Sequence, residues 1–125
     1  MKKALLFNLF VVVALFSMAQ TQSELNENAK NKYAAADKEL NKIYGDILKE
    51  YKTDTVFIKN LKKSQKLWIQ FRDAEMKVKY PDREPGYYGS VQPMCWFLYK
   101  EELTRERAKA LKIFLEAKTK GDVCN

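Results

Sequence analysis

The first half of the chain carries apolar side chains at the spacing of an α-helix. Thr21 followed by Glu24 has the pattern of a capping box, which marks a helix N-terminus. Beyond it, apolar residues recur at steps of four and three for about seven turns, so they share one helical face. This pattern predicts a first helix whose apolar face consists of Leu25, Ala29, Tyr33, Ala36, Leu40, Ile43, Ile47 and Tyr51.

A second helix should follow a short polar break at residues 52–54. Because the break is short, the first two helices should be antiparallel neighbours. The second helix should end near Tyr80, since Pro81 cannot continue it. Trp68 and Phe71 lie on a wide apolar stripe near its centre. We expect the flanking helices to cover this stripe, which makes both residues structural.

A third helical pattern runs from about Ser90 or Gln92 to Ala117. Arg107 falls on its apolar side, and a buried arginine needs a partner, which Asp73 or Glu101 could supply. We interpret the adjacent Arg72 and Asp73 as a structural ion pair between helices. Together the three patterns predict an all-α fold, with three long helices in an antiparallel bundle or a bent hairpin.

Residues 80–92, the 80–92 loop, form the one long irregular segment. It contains two of the three prolines and two of the four glycines, a density of turn-forming residues that excludes a helix. The loop could be a connector whose tyrosines pack on the end of the bundle, or it could present a binding surface. Under the second interpretation the candidate partner-binding residues are Tyr80, Asp82, Glu84, Tyr87, Tyr88 and Ser90.

The N-terminus has the layout of a secretory signal peptide. A basic start and an apolar run are followed by small residues before a cleavage point at residue 19. The apolar run is too short for a stable membrane span. We therefore predict a signal peptide at 1–19, a helical domain at 20–117 and a polar tail at 118–125, with a periplasmic or secreted product.

The net positive charge of the chain favours some partners over others. Without the two lysines of residues 1–19, 21 basic residues face 16 acidic ones, a net charge of +5. This excess favours anionic partners, although it is also consistent with solubility alone. A lysine-rich face on the second helix could bind anionic lipid or an envelope polymer, which is our alternative function. Its residues are Lys59, Lys62, Lys63 and Lys66.

Several function classes lack the residues that they need. The chain has no histidine, which is the commonest metal ligand and the usual general base near neutral pH. It has no phosphate-binding glycine loop, nucleophile motif or nucleic-acid motif. We predict no catalytic residue, cofactor, metal or nucleic-acid partner. A weak hydrolase that uses Asp73 with Glu75 or Glu101 is a third, minor hypothesis.

The two cysteines, Cys95 and Cys124, are predicted not to form an internal disulfide. A helix from Cys95 to Ala117 would be about 33 Å long, at roughly 1.5 Å per residue. The seven residues that return to Cys124 reach at most about 25 Å. A bridge would therefore require the last helix to end near Ile113 or earlier. Otherwise the thiols are free or join two chains.

Three blocks of the sequence form a family pattern. They are residues 21–44, residues 65–74 with Trp68 and the run Phe71-Arg72-Asp73-Ala74, and a third block with Gly89-Ser90, Met94, Leu103-Thr104, Arg107 and Leu111. The pattern resembles the lysozyme-inhibitor LprI-like family over nearly all of the chain beyond residue 19. The family carries cysteines near the positions of Asn28, Met76 and Tyr99, so this chain does not share its cross-links.

The resemblance implies a small exported helical protein that binds a partner and is not an enzyme. Its partner would be a lysozyme or another envelope or extracellular protein. We expect such an inhibitor to block the lysozyme cleft with the 80–92 loop, with Tyr87 or Tyr88 as the buried anchor.

Overall fold

The computed structural model describes residues 20–120, with side chains through Glu116. Its regular structure is three α-helices: α1 (Gln22–Glu50), α2 (Thr55–Lys79) and α3 (Gln92–Lys120). The predicted all-α fold of three long helices is confirmed. Helix α3 continues three residues beyond its predicted end at Ala117. The predicted signal peptide, residues 121–125 of the predicted tail and the thiol of Cys124 lie outside the described residues, while Cys95 is a half-buried free thiol.

Local sequence signals set the helix ends. The Thr21 side chain accepts a hydrogen bond from the Glu24 amide at 3.2 Å, and the Thr21 amide donates to the Glu24 carboxylate at 3.0 Å. This is the predicted capping box, and it satisfies two amides that have no partner inside the helix. Asp54 caps α2 by accepting from the Phe57 amide at 3.0 Å. Helix α2 ends just before Pro81, as predicted.

Successive helices run antiparallel, so α1 and α3 are parallel to each other. Gln22 contacts Met94 at the start of this parallel pair, and the Tyr51 hydroxyl donates to the Phe114 carbonyl at 2.8 Å near its end. The α1–α3 pair packs much more closely than either helix packs on α2. Small buried residues lie along the contact between α1 and α3, the α1–α3 seam, and allow the two helices to approach each other. They are Ala29, Ala36, Thr104 and Ala108.

The hydrophobic core lies toward the α1 C-terminus. All three helices contribute to one buried cluster, which consists of Leu40, Ile43, Ile47, Leu61, Ala108 and Leu111. Aromatic rings cover its end: Tyr51 stacks on Phe57 with 4.0 Å between ring centroids, and Phe57 meets Phe114 edge-on at 5.6 Å. Aromatic contacts of this kind add to the stabilisation from area burial.

Helix α2 is turned differently from the prediction. Its buried residues are Leu61, Gln65, Arg72 and Met76, while Trp68 is half-buried against the core. Phe71 is 56% exposed, so the expectation that the other helices cover it is wrong. The physical reason is that α2 is apolar on two opposite faces. The inward face includes Gln65 and Arg72, whose polar groups find hydrogen-bond partners, and the more uniformly apolar stripe points to solvent.

No helix among residues 20–120 combines the length and hydropathy of a membrane span.

Candidate functional site

The 80–92 loop is built from consecutive tight turns at one end of the bundle. Backbone hydrogen bonds join Tyr87 to Glu84, Gly89 to Gly86 and Gln92 to Gly89, with N···O distances of 3.1–3.3 Å. Gly86 and Gly89 have φ angles of 85° and 71°. A side chain at either position would be strained in this left-handed region, so the two glycines make the turns possible. The loop is therefore a compact, hydrogen-bonded segment.

Tyr80 and Tyr88 attach the loop to the start of α3. The Tyr80 ring lies 5.8 Å from Tyr88, 5.9 Å from Trp96 and 6.4 Å from Tyr99, measured between centroids. Burial raises the pKa of the Tyr80 hydroxyl, with smaller contributions from Cys95 and the neighbouring tyrosines, so this hydroxyl stays neutral. The Tyr88 hydroxyl donates to the Pro81 carbonyl at 2.7 Å. Both tyrosines are half-buried, as the connector interpretation expects.

Tyr87 is different, because it is 58% exposed. Its ring packs edge-on against Tyr88, with 4.9 Å between centroids. The Arg83 guanidinium lies 5.6 Å from the Tyr87 centroid, within range of a cation–π contact. Tyr87 is thus an outward-facing aromatic ring that rests on a packed neighbour.

The remaining loop candidates are exposed and carry different contacts. Asp82 pairs with Lys77, with 2.6 Å between the carboxylate and the ammonium group. The backbone carbonyl of Ser90 accepts from the Asn26 side chain at 3.2 Å, which joins the loop to the first turns of α1. Glu84 forms no ion pair within the described part of the chain. Of the six candidates, Tyr80 and Tyr88 are packing residues, and Tyr87 and Glu84 face solvent on the same turn.

Arg72 pairs with Asp73 within α2 and also approaches Asp37 of α1. Arg72 is 8% exposed. Its Nε donates to Asp73 at 3.0 Å, its Nη1 lies 3.8 Å from Asp37 of α1, and its guanidinium stacks 5.2 Å from the Trp68 ring centroid. The arginine is therefore neutralised where α1 and α2 meet. Sequence reasoning named Arg72 and Asp73 but missed Asp37, because only the fold brings that helix alongside.

Arg107 does not use either of the predicted acidic partners. Its Nε donates to the side-chain carbonyl of Gln65 and its Nη2 to the hydroxyl of Ser64, each at 3.0 Å. Glu101, one of the predicted partners, pairs with Arg105 at 2.8 Å instead. The prediction failed because Gln65, a neutral acceptor, is buried on α2 directly opposite Arg107. Within residues 20–116, no three acidic or cysteine side chains are grouped as they would be at a metal site.

The sequence matches the family model described as "Lysozyme inhibitor LprI" over residues 16–111. This chain belongs to the LprI family. The matched region contains the 80–92 loop, Arg72 and Arg107, and the resemblance found from the residues is confirmed.

A similar protein from a bacterium adds no information about function. A protein described as uncharacterised from Rhizobium meliloti (strain 1021) is 34% identical over 113 residues, which cover 79% of this chain and 77% of the relative. No solved structure matches the chain. The family description is therefore the functional information that similarity provides.

Proposed function

We propose that this protein is an exported, non-enzymatic lysozyme inhibitor that blocks the lysozyme cleft with the 80–92 loop. Membership of the LprI family supports lysozyme as the partner and a periplasmic or extracellular location. The observation that carries the loop mechanism is the exposed Tyr87 ring on a hydrogen-bonded loop.

Tyr87 has the properties of a binding anchor. Aromatic residues dominate the energy of many interfaces, because they bury a large area at a small cost in conformational entropy. The Tyr88 ring behind Tyr87 and the turns on either side reduce the ordering cost on binding. Tyr87 can therefore enter a cleft without a large rearrangement of the loop.

Acidic residues in and beside the loop should reduce the repulsion between this basic protein and a basic lysozyme. Animal-type lysozymes are strongly basic, and this chain has a net charge of +5 beyond residue 19. Like charges slow association unless local charges compensate. Glu84 lies in the loop, and Glu24 lies in the first turn of α1, which the Asn26–Ser90 contact joins to the loop. The lysine-rich face lies on α2, away from the proposed contact.

The test compares two exposed aromatic rings on different surfaces. Tyr87→Ala should weaken inhibition by about thirtyfold or more, as loss of an anchor does, and should leave urea unfolding unchanged. Phe71→Ala is the matched control, because Phe71 has nearly the same exposure but lies on α2. Tyr88 stays intact, since its hydroxyl fastens the loop. Unchanged inhibition in Tyr87→Ala would remove the loop from the mechanism, and failure of the unaltered protein to inhibit any lysozyme type would refute the function.

The outward surface of α2 favours the alternative function, binding to anionic lipid or polymer in the envelope. Lys59, Lys62, Lys63 and Lys66 are all exposed. Beside them lies an exposed apolar stripe that includes Leu67 and Phe71. Basic and apolar residues together are typical of helices that lie on anionic membranes. Binding to anionic vesicles should weaken steeply with salt and should be reduced by Phe71→Ala but not by Tyr87→Ala.

A further inference from the structure

A groove separates α2 from α3 near the start of α2, at the opposite end of that helix from the 80–92 loop. Its volume is about 230 Å³. Phe57 and Leu61 of α2 and Leu111 and Phe114 of α3 form its apolar lining, and the Phe57 and Phe114 rings touch edge-on. Ser64 and Arg107 supply polar groups to the same groove. The groove therefore combines an apolar wall with a cation.

Within the described part of the chain, no carboxylate neutralises the charge of Arg107. Its two hydrogen bonds go to the neutral groups of Gln65 and Ser64, and no described carboxylate lies within ion-pair distance. The two other arginines that pack between helices behave differently: Arg72 pairs with Asp73, and Arg105 pairs with Glu39 and Glu101. Burial lowers the pKa of Arg107. An arginine nevertheless keeps its charge in proteins, so the groove holds a half-buried cation that no carboxylate among residues 20–116 pairs with.

Arg107 also has unused hydrogen-bonding capacity. A guanidinium has five N–H donors, of which Arg107 uses two. The planar fork matches a carboxylate, to which it can donate two parallel hydrogen bonds. The Ser64 hydroxyl accepts from Arg107, so its own O–H remains able to donate to the same anion.

We propose that this groove binds a small amphiphilic carboxylate, with its apolar body against the wall that the Phe57 and Phe114 rings form together and its carboxylate on Arg107. A carboxylate fits better than a phosphate monoester, because one guanidinium neutralises a single negative charge and the monoester carries nearly two. The groove is smaller than the roughly 300–1,000 Å³ of drug-sized sites, which limits the apolar body to a short chain or one side chain. The free acid and the C-terminal residue of a peptide both present this chemistry.

Trp68 provides a local reporter. Its ring centroid lies 5.9 Å from the Arg107 guanidinium. The chain has two tryptophans, so Trp96→Phe leaves Trp68 as the single emitter. In this background, octanoate below its micelle-forming concentration should change Trp68 emission with a saturable dependence. Acetate lacks the apolar body and 1-octanol lacks the charge, so each should bind at least tenfold more weakly.

Two matched arginine variants test whether Arg107 binds the carboxylate. Arg107→Gln should weaken octanoate binding by about tenfold or more, since a hydrogen bond to a charged group is lost. Arg105→Gln removes the same charge two positions away and should change the affinity less than twofold. Phe114→Ala, which shortens the exposed wall, should weaken octanoate binding more than acetate binding. This second variant keeps the test informative if Arg107→Gln is poorly folded by circular dichroism.

The source of the carboxylate is tested by comparing octanoate with N-acetyl-leucine and its amide, using calorimetry as a second readout. Binding of octanoate alone assigns the site to free acids, while binding of N-acetyl-leucine but not the amide assigns it to chain termini. Equal binding of octanoate and 1-octanol, unchanged affinity in a folded Arg107→Gln, or no saturable binding of either carboxylate would overturn the proposal. None of these measurements involves lysozyme, so they are independent of the proposed inhibition.

Discussion

The seam between α1 and α3 is tightly packed and buried, whereas α2 packs loosely and exposes apolar residues. The seam joins two parallel helices that are distant in sequence, and Ala36, Thr104 and Leu111 are almost completely buried in it. Helix α2 follows α1 directly but packs more loosely, and polar residues occupy two of its four buried positions. Its outward face leaves Phe71 and Val78 in solvent. The difference indicates that the seam provides most of the stability, while α2 supports surfaces that are available for binding.

The same substitution made in both regions tests this difference in stability most directly. Leu40→Ala should lower the free energy of unfolding by about 2–5 kcal/mol, because Leu40 is almost fully buried and its truncation leaves a cavity. Leu67→Ala on the outward face of α2 should change it by less than about 0.5 kcal/mol. Urea denaturation of both variants measures the difference. Similar losses in the two variants would mean that α2 is covered in solution and that the comparison is wrong.

The buried residues of a helix could be predicted from the sequence where the helix has a single apolar face. On α1 the apolar residues occupy one face, and the five buried positions, Ala29, Ala36, Leu40, Ile43 and Ile47, were all predicted. Thr21 and Pro81 correctly marked helix ends, because capping and the missing proline amide act locally.

The same reasoning failed where two faces of a helix compete. Helix α2 has an apolar stripe through Leu67, Phe71 and Val78 and another through Leu61 and Met76. Periodicity alone cannot choose between them. The choice depends on Gln65 and Arg72, which contact Arg107 of α3 and Asp37 of α1, and spacing cannot identify such interhelical contacts. In the candidate site, the sequence located the loop but could not separate the packed Tyr88 from the exposed Tyr87.

The polar attachment of α2 gives the next largest effect. Arg72→Ala should cost about 1.5–3 kcal/mol of stability, since it removes the charged hydrogen bond to Asp73, the approach to Asp37 and the stacking on Trp68. Arg83→Ala in the loop is the matched control and should be nearly neutral, because that side chain is exposed. A double-mutant cycle with Asp37→Asn measures the coupling between α1 and α2. Zero coupling would show that the 3.8 Å approach of Arg72 to Asp37 does not hold the helices together.

A smaller loss should follow removal of one hydroxyl from the α1–α3 seam. Tyr51→Phe deletes the hydrogen bond to the Phe114 carbonyl and should cost about 0.5–1.5 kcal/mol. Tyr87→Phe makes the same chemical change on an exposed ring and should leave the unfolding midpoint unchanged. If both variants behave alike, the 2.8 Å contact contributes no net stability in water.

The smallest effect concerns the surface ion pairs that border the seam. Arg105 bridges Glu39 of α1 at 3.1 Å and Glu101 of its own helix at 2.8 Å, with about half of its side chain exposed. Arg105→Gln should cost about 0.2–1 kcal/mol at low salt. The loss should shrink as salt screens the charges. Lys59→Gln removes the same charge from α2, where no described carboxylate pairs with it, and should be neutral or slightly stabilising because the chain carries excess positive charge. If the loss in Arg105→Gln does not depend on salt, this arginine stabilises the protein through packing of its aliphatic stem. The border between α1 and α3 would then be held by packing as well, like the buried seam.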